Sequence, residues 1–415
     1  MAEARKENIE TSRHTIFGRL WAIGLLTLIA SSWPLWFGFG DTAFPAVPLL
    51  GMIDSDGDFL QSLGSMTSLT LVLGLAGVIF FRKPPKLCWI VISGSLFLSF
   101  MSDQHRIQPW AYQSFLYASM FSLMPERSWP RWILPLVVSI YAYSALGKFD
   151  TQFFNTVGSE FTQFMIEWIP NDFFISRTPF IIGLLPSAEL AIAALICFRK
   201  TRRYGSITAI GMHFTLIIVL GPWGKNHSAG VLIWNVMLII QHVYLVFCRT
   251  YSETPPADDD QGSSRKLGHF VVTTLWLTAL IAPCLERTGY WDHWTSWSLY
   301  SPHTSRARIE IHQSAISILS ESQKSALMKD HDGDQWRELD LSEWSLKVRK
   351  VPIYPQARYQ LGLASQLAAS LNLSDALRVK LQSVSDRRTG NRNEQLLLNE
   401  KEIERALGAF WLHSR

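Results

Sequence analysis

The sequence is poor in charge, in paired cysteines and in the common catalytic signatures. Only 17% of its 415 residues are Asp, Glu, Lys or Arg, against about a quarter in a typical soluble protein. The four cysteines, Cys88, Cys197, Cys248 and Cys284, form no C-x-x-C pair. They sit in or beside apolar runs and read as buried or lipid-facing thiols. The net charge of +4 gives no electrostatic case for a nucleic-acid partner. No nucleotide loop, zinc motif or nucleophile elbow is present, and no metal-ligand set is read. Internal repeats and paired broken helices are missing too, which weighs against a transporter.

Apolar residues are abundant instead, at 48%, with 17 tryptophans. Indoles collect at membrane–water interfaces. A bilayer core of ~30 Å needs ~20 apolar helical residues. Nine runs meet or approach this: 16–37, 63–81, 87–102, 108–124, 132–149, 179–198, 204–221, 229–248 and 267–285. The third and fourth are short. The first run reads as a span and not as a cleaved signal. The chain thus divides into an N-terminal segment 1–15, a transmembrane helical domain 16–285 and a charged soluble domain 286–415.

Lys and Arg alternate between loops. They appear in Arg5, Lys6 and Arg13, in Arg82-Lys83-Pro84-Pro85-Lys86, at Arg127 and Arg131, in Arg199 to Arg203, and from Arg249 to Lys266. The intervening loops are acidic, as with Asp41, Asp54, Asp56 and Asp58, or carry a single positive charge, Arg177 in 150–178. The positive-inside rule then predicts a cytoplasmic N-terminus and an extracytoplasmic C-terminal domain in a cell (inner) membrane. Residues 251–264 read as a flexible linker. In 150–178, Phe153, Phe154, Phe161, Phe164, Trp168, Phe173 and Phe174 interleave with polar residues. This predicts an amphipathic segment on the outer interface.

The last region reads as a small α+β domain that folds by itself from about residue 300. Alternation predicts strands at Ala307/Ile309/Ile311, Trp344/Leu346/Val348 and Leu377/Val379/Leu381. A helix begins near Pro355, buries Leu361, Ala364, Leu367, Ala368 and Leu371, and ends at Asn372. A second starts at Asn399 with Glu402 as in a capping box, and turns Ile403, Ala406, Leu407 and Phe410 inward. The acidic clusters Asp54–Asp58 and Asp330–Asp334 begin like calcium loops. They lack the glycine and the bidentate glutamate that such loops need, so they read as polar turns.

Ionisable groups inside spans are expensive and mark protein interiors or cavities. Asp103-Gln104-His105-Arg106-Ile107-Gln108 lies at the outer edge between spans three and four, where Asp103 and Arg106 are spaced to pair. Tyr141, Ser144 and Lys148 share a face of span five. Glu189 and His213 both count to mid-membrane depth at ~1.5 Å per residue, which predicts contact between them. Asn235 and His242 share a face of span eight.

The stretch Tyr143-Ser144-Ala145-Leu146-Gly147-Lys148-Phe149, followed by an aromatic loop, resembles the small-Gly-x-x-Lys helix of the DoxX/MauE group of redox-associated membrane proteins. The Pro186-x-x-Glu189-Leu190 helix and the His213 helix leading to Asn226 are similar to further elements of that group. Asp103-Gln104-x-Arg106-x-Gln108-Pro109-Trp110 resembles the larger HTTM proteins, relatives of vitamin K-dependent γ-carboxylase. Together these motifs cover about a third of the chain, and the C-terminal domain resembles no family. The first resemblance implies a redox-associated component handling a quinone or another lipophilic molecule, with other membrane or extracytoplasmic proteins as partners. The absence of paired cysteines departs from that group's redox partners and excludes thiol exchange by this chain. The second resemblance implies acid–base chemistry with Lys148 as base. A non-catalytic assembly factor is a third reading. On these readings Lys148, Asp103 and His105 are the candidate catalytic groups, placed with Asp150 at the outer leaflet. Arg106, Gln108, Tyr141, Glu189 and His213 are candidate binding groups.

Overall fold

The computed structural model describes residues 2–38, 44–50, 57–168, 177–247, 263–330, 333–373 and 375–410. Asp41, Asp54, Asp56, Phe173, Phe174, His331, Asp332 and most of the 251–264 linker lie outside them, as do the side chains of Phe164 and Trp168.

Every apolar run becomes a helix. In chain order these are α1 (Ala2–Ser31), the short α2 (Trp33–Phe37), α3 (Gly57–Phe80), α4 (Lys86–Ser102), α5 (Pro109–Leu123) and α6 (Trp129–Lys148). There follow α7 (Thr151–Asn155), α8 (Val157–Trp168), α9 (Thr178–Cys197), α10 (Arg202–Leu220), α11 (Ala229–Phe247) and α12 (Ser263–Ile281). Prolines sit at the first turns of α2, α5, α6 and α9, where no backbone donor is lost. Six helices among the described residues are long and apolar enough to cross a membrane. A seventh span is reached if α6 and α7–α8, bent by 71°, count as one. Nine is more than this criterion supports, because α4 and α5 have only 17 and 15 residues.

The bundle's lipid-type surface is visible in its exposures. Met66, Phe80, Phe180 and Phe270 are all at least 66% exposed, while Trp21, Leu25, Leu71, Leu116 and Ile133 are buried. Outward apolar residues around a buried helical core are what a bilayer solvent requires.

The C-terminal domain carries a four-stranded antiparallel sheet in the order β2-β1-β3-β4, from β1 (Arg306–His312), β2 (Trp336–Leu339), β3 (Leu377–Gln382) and β4 (Glu394–Leu397). Ile309 of β1 faces Leu339 and Val379 across the sheet. Its helices are α13 (Glu321–Ser325), α14 (Leu341–Val348), α15 (Ala357–Leu371) and α16 (Glu400–Leu407). Helix α15 packs on β1, β3 and α16 and buries Leu361, Leu363, Ala364 and Leu367. It ends on Asn372 in the left-handed region, φ 53°, a conformation asparagine tolerates. Helix α16 starts as expected, with Asn399 accepting from the Glu402 amide at 3.1 Å.

The strand expected at Trp344–Val348 is a helix. Asp340 caps it by accepting from the amides of Ser342 and Glu343, both at 2.9 Å. Trp344 and Ser345 are buried together, whereas Leu346 is 42% exposed. That burial has helical spacing, which the apparent alternation of 344, 346 and 348 masked. Around Asp330, the carboxylate accepts from Gly333 and Gln335 at 2.7 and 3.1 Å, forming a turn into β2.

Candidate functional site

The polar interior of the bundle is organised by one face of α6. Tyr141, Ser144 and Lys148 are three of its buried polar positions, spaced i, i+3 and i+7 and therefore stacked along one stripe. Near the helix end, Lys148 Nζ donates to both oxygens of Glu189 at 2.8 and 2.7 Å and to Ser144 Oγ at 2.6 Å. Lys148 is 6% and Glu189 15% exposed at their side chains, so the pair is shielded from water. Two turns below, Tyr141 Oη lies 2.6 Å from His213 Nε2 and 2.7 Å from His242 Nε2.

Hydrogen bonding around this second cluster fixes a direction. Asn235 Nδ2 donates to Val231 O, which turns its Oδ1 toward His213 Nδ1 at 2.8 Å. His213 Nδ1 therefore carries the hydrogen, and Nε2 accepts from the Tyr141 hydroxyl. The Tyr141 oxygen then accepts from His242 Nε2. Among the described residues, His242 Nδ1 is left as a buried acceptor without a hydrogen-bond partner. Beside it, Gln113 Nε2 and Tyr117 Oη both donate to Gln241 Oε1, at 2.9 and 2.6 Å, and Trp234 Nε1 donates to Gln113 Oε1.

Among the described residues no hydrogen bond or ion pair joins Glu189 to His213, contrary to the expected contact. Both residues reach the same stripe of α6, but at different heights: Glu189 bonds Lys148 and His213 bonds Tyr141 and Asn235. Counting depth gave no information on helix rotation, and rotation decides which groups meet.

The Asp103–Gln108 stretch forms a separate place. Asp103 does not pair with Arg106; its carboxylate bonds Arg349 of α14's C-terminal end, and it caps the turn at His105. Arg106 instead donates to the carbonyls of Leu35 and Trp36 at 3.1 Å each, at the C-terminal end of α2, where a cation is favoured. Gly64 makes room for it: a Cβ there would lie 2.6 Å from the guanidinium. His105 Nε2 is 3.0 Å from Pro352 O, Gln104 Oε1 accepts from Arg358, and Gln108 donates to His105 O. Asp103, His105 and Gln104 thus join the bundle to the C-terminal domain, and among the described residues no partner of Asp103 is a partner of Lys148. Asp150 caps α7 and pairs with Arg287 at 2.6 Å.

A second joint lies beside the α6 end. Arg387 donates to Leu146 O and Phe149 O at 2.6 and 2.7 Å, and Thr151 donates to Arg387 O and Arg388 O. Arg349, Arg358 and Arg387 escaped the sequence reading because each acts on a partner more than 200 residues away. Gly147 belongs to this region. A Cβ on it would lie 2.6 Å from Ser301 Oγ and 3.4 Å from Ser298 Oγ. Gly147→Ala is therefore expected to push α6 from the 298–301 loop and cost about 1–3 kcal/mol. A lowered thermal midpoint in detergent checks this; an unchanged midpoint would show that the loop yields freely.

Compared with known proteins, the chain matches no family model, no curated protein and no solved structure.

Proposed function

We propose that this protein is a redox-associated membrane component that binds a quinone-like lipophilic molecule and handles its protons. The observation that supports this best is the Tyr141–His213–His242 chain with its free acceptor at His242 Nδ1. An unpaired buried acceptor costs about 1–3 kcal/mol, so a donor from outside the chain is favoured there. A quinol hydroxyl is such a donor. The residues around it can pass a proton along the chain. His242 takes it at Nδ1 and releases the one on Nε2 to Tyr141. Tyr141 in turn gives its own to His213 Nε2, leaving His213 as the charged end. The resemblance to the DoxX/MauE group points the same way. The carboxylase-like alternative, with Lys148 as free base, is less favoured because Lys148 is engaged by Glu189 and Ser144.

The same reading takes all nine apolar helices as spans of a cell inner membrane, with a cytoplasmic N-terminus and the C-terminal domain outside. Alternating helix directions support it. The α4 and α6 ends bond Arg349 and Arg387 of the C-terminal domain through Asp103 and Leu146, and the α2 end bonds Arg106 of the same loop as Asp103. Arg19, mid-way along α1 but near the start of its apolar stretch, bonds the carbonyls just after α3 at the opposite end.

The test is the quinone content of protein purified in mild detergent, corrected for bulk lipid. Wild type should retain quinone above the membrane average. Tyr141→Phe and His242→Leu should each reduce retention about tenfold, the equivalent of one hydrogen bond of ~1.4 kcal/mol. Equal retention in all three proteins would sink the proposal.

A further inference from the structure

Outside the bundle, three buried groups from three segments converge. Glu286 lies in the 3-10 segment Ala282–Thr288 that follows α12, His293 in the next turn, and His303 just before β1. They are 8%, 3% and 0% exposed. Glu286 Oε1 is 2.7 Å from His293 Nδ1, and His303 Nε2 is 3.0 and 2.9 Å from the two carboxylate oxygens. One donor atom from each residue lies within 4.8 Å of the other two. The two imidazole rings stand nearly perpendicular at 71°, with centroids 5.1 Å apart, so they do not stack.

Glu286 is a carboxylate in a place almost free of water, and burying such a charge is costly unless it is paired. Among the described residues its ion-pair partners are the two imidazoles alone; no lysine or arginine pairs with it, and its neighbour Arg287 is committed to Asp150. A divalent cation held by all three groups would offset the carboxylate charge. Zinc sits about 2.0–2.1 Å from imidazole nitrogen and carboxylate oxygen, so tetrahedral ligand atoms lie roughly 3.3 Å apart. Here the Glu286–His contacts are 2.7–3.0 Å, and one donor atom from each residue lies within 4.8 Å of the others.

We propose that Glu286, His293 and His303 bind a zinc-type divalent transition metal, with a water in the fourth position. Two nitrogens and one oxygen suit zinc and disfavour calcium or magnesium, which take oxygen ligands. The metal ties the segment leaving the last membrane helix to the first strand of the external domain. The sequence spacing, Glu-x6-His-x9-His, matches no zinc motif, which is why only the folded chain reveals it.

Full-length protein in detergent, stripped with a chelator, is titrated with zinc against a chromogenic competitor. Wild type should bind one zinc per chain, and His303→Ala and Glu286→Gln should each bind about a hundredfold more weakly. A copper-loaded wild-type sample, examined by pulsed paramagnetic resonance, should show two imidazole nitrogens on the ion; this readout stands even if the variants fail to fold. No stoichiometric zinc in wild type, equal affinity in the variants, or copper without histidine nitrogen would overturn the proposal. The cluster would then be a hydrogen-bonded clamp alone.

Discussion

Lys148→Met is expected to destabilise the protein by about 3–5 kcal/mol, because it strands a shielded carboxylate. Lys148 Nζ contacts both oxygens of Glu189, and the two side chains are 6% and 15% exposed. Methionine keeps the apolar stem and removes the only ion-pair partner that Glu189 has among the described residues. Glu189→Met is expected to be comparably harmful, since it leaves the ammonium with Ser144 alone. The double variant Lys148→Met/Glu189→Met removes both charges and should recover most of the loss. Detergent melts of the four proteins give the coupling. A lysine that only snorkels to the interface would show little change in the single variant and no coupling. Quinone retention in the double variant then separates packing from function. If the pair is only a clamp, a restored fold should retain quinone at the wild-type level. If the pair contributes to the ligand site, retention falls while stability does not.

Signals that act within one element were legible in the sequence. Alternation at Ala307, Ile309 and Ile311 gave β1, and the stripe from Leu361 to Leu371 with Asn372 behind it gave α15. Asn399 gave the start of α16. The stripe Tyr141/Ser144/Lys148 was legible for the same reason, since helical spacing fixes a face. What acts between elements was not legible. Glu189 meets Lys148 across 41 positions, and Asp103 meets Arg349 across 246. Nothing local in either residue names its partner. At Trp344–Val348 the failure was of period: a five-residue window containing three apolar positions fits a strand or a helix. The deciding residue was Asp340, a cap lying just outside that window.

Arg349→Met is expected to loosen the C-terminal domain from the bundle. The Arg349 guanidinium bonds the Asp103 carboxylate and the carbonyl of Phe44, and lies over the Phe44 ring at 4.6 Å. Without it, Asp103 is a buried charge at 2% exposure, which costs about 3–5 kcal/mol. Adding Asp103→Asn should restore much of this, because asparagine can still cap the turn at His105. Acid should act on the same joint, which lies in the loop between α4 and α5. Burial first, and the Arg349 charge second, push the His105 imidazole down to about 4. The undocked chain then takes up a proton below about pH 6.5, while the docked chain refuses it until pH about 4. Docking stability is therefore present above pH 6.5 and falls through that window, by about 3 kcal/mol in all. For Asp103, burial raises the carboxyl, but Arg349, Arg106 and His105 outweigh it and hold it below the ordinary carboxylate value. Its contribution persists above about pH 4 and is lost only in stronger acid. Hydrogen exchange over 341–371, followed from pH 7.5 to 4.5, should accelerate in wild type once intrinsic rates are corrected. His105→Gln removes the titrating ring and should flatten that dependence, while Arg349→Met should show fast exchange already at pH 7.5. A wild-type profile that is flat over this range would remove His105 from the docking energetics, whatever the Arg349 result.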